Sequence, residues 1–252
     1  MTASPSASPS PTAPPLAVVL VHGAWHGPWC WEAVEGELAR RGIPVAAPAL
    51  PSTVGDPAAL GTFDDDVAAV RAALDATGPA VVCAHSYAGL VVGAADHPAL
   101  RHLVFLSAFM ADAGETWSDV AADDSAGGDD VDGGLVSALV GDEHGNVLID
   151  PARATGVFYA DCDPAAAAAA VARLTPQNAE PFARTMPAPS WRTVPSTFVV
   201  CENDRAIRPA RQRAMATRAT TTGTLPTSHA AMLARPDLLA DILEAAARAT
   251  HP

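Results

Sequence analysis

Six short runs, "LAVVLVHG", "IPVAAPAL", "PAVVCAHS", "LRHLVFLSAFM", "PSTFVVCEND" and "TGTLPTSH", punctuate the chain, and most are separated by segments of helical periodicity. Several of the runs are apolar without alternation, the pattern of strands buried on both faces, which is the condition of a parallel sheet covered by helices. Strands that alternate with helices connect by right-handed crossovers, so the runs predict an α/β fold with a mostly parallel central sheet flanked by helices.

The intervening helices carry their own signals. Trp31, Val34 and Leu38 recur at helical spacing, with Gly42 placed to end the helix. "TFDDDVAAVRAALDAT" reads as a helix with Thr62 as N-cap and three aspartates near its positive end, and further helices are expected around Arg211 to Arg218 and over "RPDLLADILEAAARAT". Between about 111 and 189 the rhythm breaks into the acidic, glycine-rich "AADDSAGGDDVDGG", followed by a helix with Asp163 as N-cap and Pro164 at its first position. The expected organisation is a disordered Pro/Ser-rich tail over 1–15, the first half of the core over 16–110, an inserted lid (cap) over 111–189 and the second half of the core over 190–252.

The 252 residues suffice for one such domain with a sizeable core. A formal net charge of −13, with fifteen Lys and Arg forming no basic block, argues against a nucleic-acid partner. The longest apolar runs fall far short of the roughly 20 residues of a membrane span. The opening stretch has neither the basic nor the apolar region of a secretory signal, which predicts a cytoplasmic protein, monomeric or homodimeric. Cys30, Cys83, Cys162 and Cys201 are scattered without a CxxC pair and read as free, mostly buried thiols. No HExxH, GxGxxG or Walker loop occurs, and "GGDDVDGG" lacks the spacing of a calcium loop, so neither metal nor organic cofactor is expected.

Ser86 stands where the strand-like "AVVCAHS" meets the helix-like "YAGLVVGAA". Two roles fit that position: an N-cap for the helix, or a nucleophile projecting from a tight strand-to-helix turn whose crowded positions need small neighbours, here Ala84, Ala88 and Gly89. The second role requires an acid and a histidine downstream, in that order. Asp204 follows "TFVVC" and His229 follows "TGTLPTS", while Glu202 is a rival acid nearer the strand end. His85 adjoins Ser86, but neighbouring residues at a tight turn point apart, so it is expected to pack structurally. Acyl transfer also needs donors for the developing oxyanion, and the backbone N–H groups of Ala24, beside Gly23, and of Tyr87 are the candidates. Trp25, Trp117, Phe158, Tyr159, Phe182 and Trp191 are candidates for an apolar substrate pocket or for ordinary packing.

With these residues in place, "VLVHGAWHGPWCW", "AHSYAGLVV", "FYADC", "VPSTFVVCENDRAI" and "SHAAML" together make the chain resemble the α/β-hydrolase superfamily, in its branch of plant methyl-ester esterases, hydroxynitrile lyases and related bacterial esterases. The resemblance covers about residues 16 to 250. It implies Ser86 as nucleophile, His229 as general base and acid, Asp204 as the residue orienting His229, and Ala24 with Tyr87 as oxyanion hole. Lyases of the branch carry a threonine where Gly23 stands and a lysine where Ala230 stands, so the resemblance implies an esterase acting on a small carboxylic ester. A lactone, thioester or amide hydrolase, a ring-closing enzyme and a non-catalytic small-molecule receptor remain alternatives, since fold and triad do not fix the substrate.

Overall fold

The computed structural model describes residues 14–121 and 134–249. The Pro/Ser-rich stretch up to residue 13 and most of the acidic, glycine-rich stretch lie outside the described residues. In chain order the first half runs β1 (Ala17–Val21), α1 (Glu32–Arg40), β2 (Val45–Ala46), α2 (Phe63–Thr77), β3 (Ala80–His85), α3 (Ala88–Ala94) and β4 (Leu100–Leu106). There follow α4 (Trp117–Ala121), α5 (Gly134–Ser137), β5 (Leu139–Gly141), β6 (Val147–Ile149), α6 (Pro151–Phe158) and α7 (Pro164–Val171). The alternation resumes with β7 (Ser196–Cys201), α8 (Pro209–Ala216), β8 (Thr221–Leu225), α9 (Ala231–Ala234) and α10 (Pro236–Ala249).

Six strands form one sheet in the order β2-β1-β3-β4-β7-β8, and every neighbouring pair is parallel. Val18 to Val21 and Val81 to Ala84 have no exposed surface, as a parallel strand covered on both faces requires. Burying each Val or Leu stabilises the fold by about 1.5–3 kcal/mol before conformational entropy is counted. Helix α1 packs with α10 and α2 with α3, and α2, α3 and α10 each pack on β1 or β3. The two-stranded antiparallel β5–β6 pair stays outside the main sheet, so among the described residues nothing between β4 and β7 adds a strand to it. Cys30, Cys83, Cys162 and Cys201 are free, and all but Cys162 are buried. No helix among the described residues is long and apolar enough to cross a membrane.

The topology positions the site. From β1 the chain moves to β2 on one side and returns to β3 on the other, so the connections diverge above β1 and β3. Open α/β sheets bind ligands at such a divergence, outside the carboxyl ends of the strands. The loops after β1, β3, β4, β7 and β8 carry Ala24, Ser86, Ser107, Asp204 and His229.

Candidate active site

Three non-glycine residues have positive φ among the described residues: Trp25 at 62°, Ser86 at 55° and Ser107 at 40°. All three follow strands of the main sheet at its carboxyl edge. Left-handed backbone is costly for such residues and persists where surrounding structure enforces it. At Ser86 the enforcement is visible. The Ser86 carbonyl accepts from Gly89 N at 3.1 Å and from Phe109 N at 3.0 Å, and a Cβ added at Gly89 would lie 2.2 Å from the Phe109 carbonyl oxygen. Helix α3 therefore leaves the turn pressed against the chain after β4, which only glycine at 89 permits. Gly23 makes the matching approach from the β1 loop, because a Cβ there would stand 2.9 Å from Ser86 Cβ and 3.0 Å from His85 Nδ1.

His229 Nδ1 donates to Asp204 Oδ2 at 2.8 Å, and both side chains are almost fully buried. That bond fixes the tautomer and leaves His229 Nε2 with its lone pair. Asp204 also accepts from Ala206 N at 2.7 Å, Ile207 N at 3.0 Å, Gln212 Nε2 at 2.9 Å and the Ser107 hydroxyl. These donors replace the water that burial removes from the carboxylate. Glu202, the rival acid, is paired with Arg213 near the surface. Ser86 Oγ has no hydrogen-bond partner among the described residues, so its contact with His229 Nε2 is not closed here. Its neighbour His85 does reach the loop, with Nε2 donating to His229 O at 3.0 Å and ring centroids 4.4 Å apart. Such catalytic contacts are commonly long without substrate.

The β1 loop is held by two buried histidines whose motif, "HGAWH", carried no assigned role for either of them. His22 Nδ1 donates to Gly23 O at 3.0 Å and its Nε2 accepts from Leu50 N at 3.0 Å. His26 Nδ1 donates to Ala24 O at 2.8 Å and its Nε2 accepts from Tyr159 OH at 2.8 Å. A planar trans peptide points its N–H opposite its carbonyl, so anchoring Gly23 O sets the direction of Ala24 N–H. Burial pushes His22 down to about 4 and His26 down to about 3, so both work as neutral imidazoles near pH 7. The backbone N–H groups of Ala24 and Tyr87 donate to no acceptor among the described residues, although both residues are buried. Two unmatched donors flanking Ser86 are what an incoming oxygen would satisfy.

The proposed pocket aromatics divide. Trp25 stacks on Phe158 at 6.0 Å and on Phe182 at 6.1 Å, Trp117 meets Phe182 at 5.2 Å, and Phe158 lies 5.5 Å from the His229 ring. Tyr159 is buried against His26. Trp191 stands apart, donating to Ala111 O at 3.0 Å beneath the Arg192 guanidinium. A cavity of about 160 Å³ opens beside the site, lined by Phe109, Trp117, Leu135 and Ile207 among others, with Arg205, Arg208 and Arg211 also in its wall. Of the six aromatics only Trp117 lines it, and its Nε1 is buried without a partner. None of Ala24, Ser86, Tyr87, Asp204 and His229 lines it; two of its lining residues touch the site through their backbone, Phe109 N on the Ser86 carbonyl and Ile207 N on Asp204.

The loop after β8 is tied to "FYADC". Ser228 N donates to Asp161 Oδ2 at 2.6 Å, the Ser228 hydroxyl also donates to Asp161, and Ala230 N donates to Phe158 O at 3.0 Å. Both neighbours of His229 are thereby fixed. Sequence reasoning assigned no role to Ser107, Gln212, Asp161 or Ser228, since one hydroxyl, amide or carboxyl in a loop carries no pattern of its own.

Comparison with known proteins agrees with this architecture. Residues 18–242 match the model of the alpha/beta hydrolase family. The chain is 25% identical over 230 residues to Alpha/beta hydrolase nvfD of Aspergillus novofumigatus (strain IBT 16806), covering 84% of this chain and 87% of that protein. Among solved structures, a pyrethroid hydrolase from Sphingobium faniae JZ-2 is similar with a TM-score of 0.78 and 23% identity, over 93% of this chain and 98% of that one. A methylesterase from Arabidopsis is similar with a TM-score of 0.74 and 19% identity, over 90% and 97% of the two chains.

Proposed function

The chain belongs to the alpha/beta hydrolase family, and from that premise we propose that it is a serine esterase that cleaves a small carboxylic ester through an acyl-enzyme. The observation that carries this reading is the buried 2.8 Å bond between His229 Nδ1 and Asp204, which frees His229 Nε2 as a base at the sheet edge where Ser86 is held in a strained turn.

In the proposed reaction His229 Nε2 takes the Ser86 proton as Oγ attacks the ester carbonyl carbon. The tetrahedral oxyanion accepts from Ala24 N–H and Tyr87 N–H, whose directions are set before substrate arrives. Collapse expels the alcohol, which receives the proton from His229. Water, deprotonated by the same nitrogen, then releases the acid and restores Ser86. Asp204 orients the imidazole and stabilises its charged form.

Residues 111–189 are read as a lid over this edge, and the cavity, whose wall mixes Phe109, Trp117 and Ile207 with Arg205, Arg208 and Arg211, is read as receiving part of the ester. Ala230 is fully buried and places only a methyl group beside His229, so position 230 supplies no cation to a departing cyanide. This supports ester hydrolysis over cyanohydrin cleavage.

The test is turnover of short-chain p-nitrophenyl esters by the wild type and by Ser86→Ala, Asp204→Ala and His229→Ala at matched fold content. We expect losses in kcat on the order of 10⁴-fold or more for Ser86→Ala and His229→Ala, and a smaller but large loss for Asp204→Ala. No turnover by the wild type, or turnover indifferent to Ser86, would sink the reading.

A further inference from the structure

Behind the nucleophile turn lies a buried carboxylate that the reaction above does not use. Asp66 has no exposed surface, and its Oδ2 accepts from Tyr87 OH at 2.6 Å and from Ser52 Oγ at 2.6 Å, while Oδ1 accepts from Ser52 N at 2.9 Å. Gln177 Nε2 extends the chain to Ser52 Oγ at 2.8 Å, and Gln177 exchanges both backbone hydrogen bonds with Val147. Asp66 forms no ion pair among the described residues. A carboxyl group buried among neutral donors is expensive, and an apolar side chain of similar volume would be a cheaper way to fill the space. The partner it holds is the side chain of the residue directly after Ser86.

We propose that Asp66 is a positioning residue for the oxyanion hole, clamping the Tyr87 phenol so that the Tyr87 backbone N–H keeps its aim at the oxyanion. The inference rests on the serine-esterase reading and names a device within that site. The Ser86 carbonyl of the same peptide is held by Gly89 N and Phe109 N, which orients the Tyr87 N–H from its near side, and the buried Tyr87 ring meets the edge of Phe182 at 5.8 Å. With Ser86 in a left-handed conformation, a rotation of the 86–87 peptide changes the position of the Tyr87 side chain, and the hydroxyl bond to Asp66 adds a second restraint at the far end of the ring to the two bonds on the Ser86 carbonyl. The Ser52 and Gln177 bonds hold the carboxyl in turn, so the clamp is anchored both to the loop after β2 and to the segment before β7.

The experiment compares wild type, Tyr87→Phe, Asp66→Asn and the double variant in two assays, each at a temperature well below the variant's own melting midpoint. The first is kcat and KM for p-nitrophenyl acetate, with Ser86→Ala as control. The second is inhibition by a phenylalkyl trifluoromethyl ketone. There Ser86 Oγ adds to the carbonyl carbon, its proton passes to His229, and the carbonyl oxygen becomes the oxyanion. Expected are a fall in kcat of about tenfold with KM within about twofold, and a rise in Ki of about tenfold, for either single variant. The double variant should add no more than about twofold, because both changes break one clamp. Unchanged kcat and Ki in folded Tyr87→Phe, a loss carried by KM alone, or multiplying losses would overturn the clamp while leaving Ser86-dependent turnover intact. Wild-type turnover that survives Ser86→Ala overturns the esterase reading itself. Tyr87→Phe removes one oxygen and keeps the ring, so it decides the matter should Asp66→Asn fail to fold.

Discussion

At the scale of single residues, the nucleophile turn depends on side chains that are absent. A methyl group at Gly89 would meet the Phe109 carbonyl at 2.2 Å, and that oxygen belongs to backbone already bound to Ser86 through the Phe109 N–H. Neither partner can yield without reshaping the turn. Gly89→Ala is therefore expected to cost at least about 1–3 kcal/mol and to reduce turnover with it. Gly156, inside α6, has nothing within 4 Å of where its Cβ would stand, so Gly156→Ala is expected to stabilise the protein by about 0.5–1 kcal/mol. Denaturant unfolding of the two variants checks both signs. If Gly89→Ala proves neutral, the turn is looser than its contacts imply.

At the scale of elements, the loop after β8 is held against the end of α6 by Asp161, which receives both the N–H and the hydroxyl of Ser228. Asp161→Ala removes two of the bonds that hold the residue before His229, leaving its hydroxyl the Phe158 carbonyl at 3.1 Å, and should lower kcat by about tenfold, on the reasoning that a small misplacement of a catalytic group is costly. Asp163, two residues on, accepts from Ala165 N at 3.0 Å and Ala166 N at 3.1 Å as the N-cap of α7. Asp163→Ala should cost about 1 kcal/mol of stability and leave kcat unchanged. Kinetics and melting curves of the pair separate the two roles, and equal kcat in both variants would leave Asp161 as no more than a structural tie. The same neighbourhood shows what the sequence made legible. Asp163 before proline and Thr62 before three aspartates were readable as caps, and α2 does begin with a capping box between Thr62 and Asp65. Asp66 read like its neighbours as a charge at the helix start, yet it faces inward to Ser52 and Tyr87, a choice made by tertiary packing that helical spacing alone does not reveal. The run "IPVAAPAL" promised a full strand, but only Val45 and Ala46 pair with β1, because Pro48 lacks the N–H a longer ladder needs. Strands β5 and β6, three residues each, are too short to show a period.

At the scale of the whole molecule, three histidines buried at the site, His22, His26 and His85, couple its integrity to pH. Burial pushes His22 down to about 4 and His26 to about 3, and holds His85 well below the ordinary imidazole value, with the charge of neighbouring histidines adding to the shift at His26 and His85. In the unfolded chain each would titrate near 6.5. Between 6.5 and about 4 the unfolded state binds protons that the folded state refuses, so stability is fully present above 6.5 and is lost as pH falls. The slope approaches about 1.4 kcal/mol per pH unit for each histidine, or as much as about 4 kcal/mol for the three together between pH 6 and 5. Asp66 opposes this, because burial raises its carboxyl above the ordinary range and protonation there favours the folded state. One carboxyl offsets at most the slope of one imidazole, so it cannot cancel that of the three histidines. Urea unfolding at pH 8, 7, 6 and 5 should therefore show a nearly level stability between 8 and 7 and a steep decline below 6.5. A flat profile down to pH 5 would mean that these imidazoles accept protons in place. The anchoring of Gly23 O and Ala24 O by neutral histidines would then no longer explain how the β1 loop keeps its N–H groups aimed at the site.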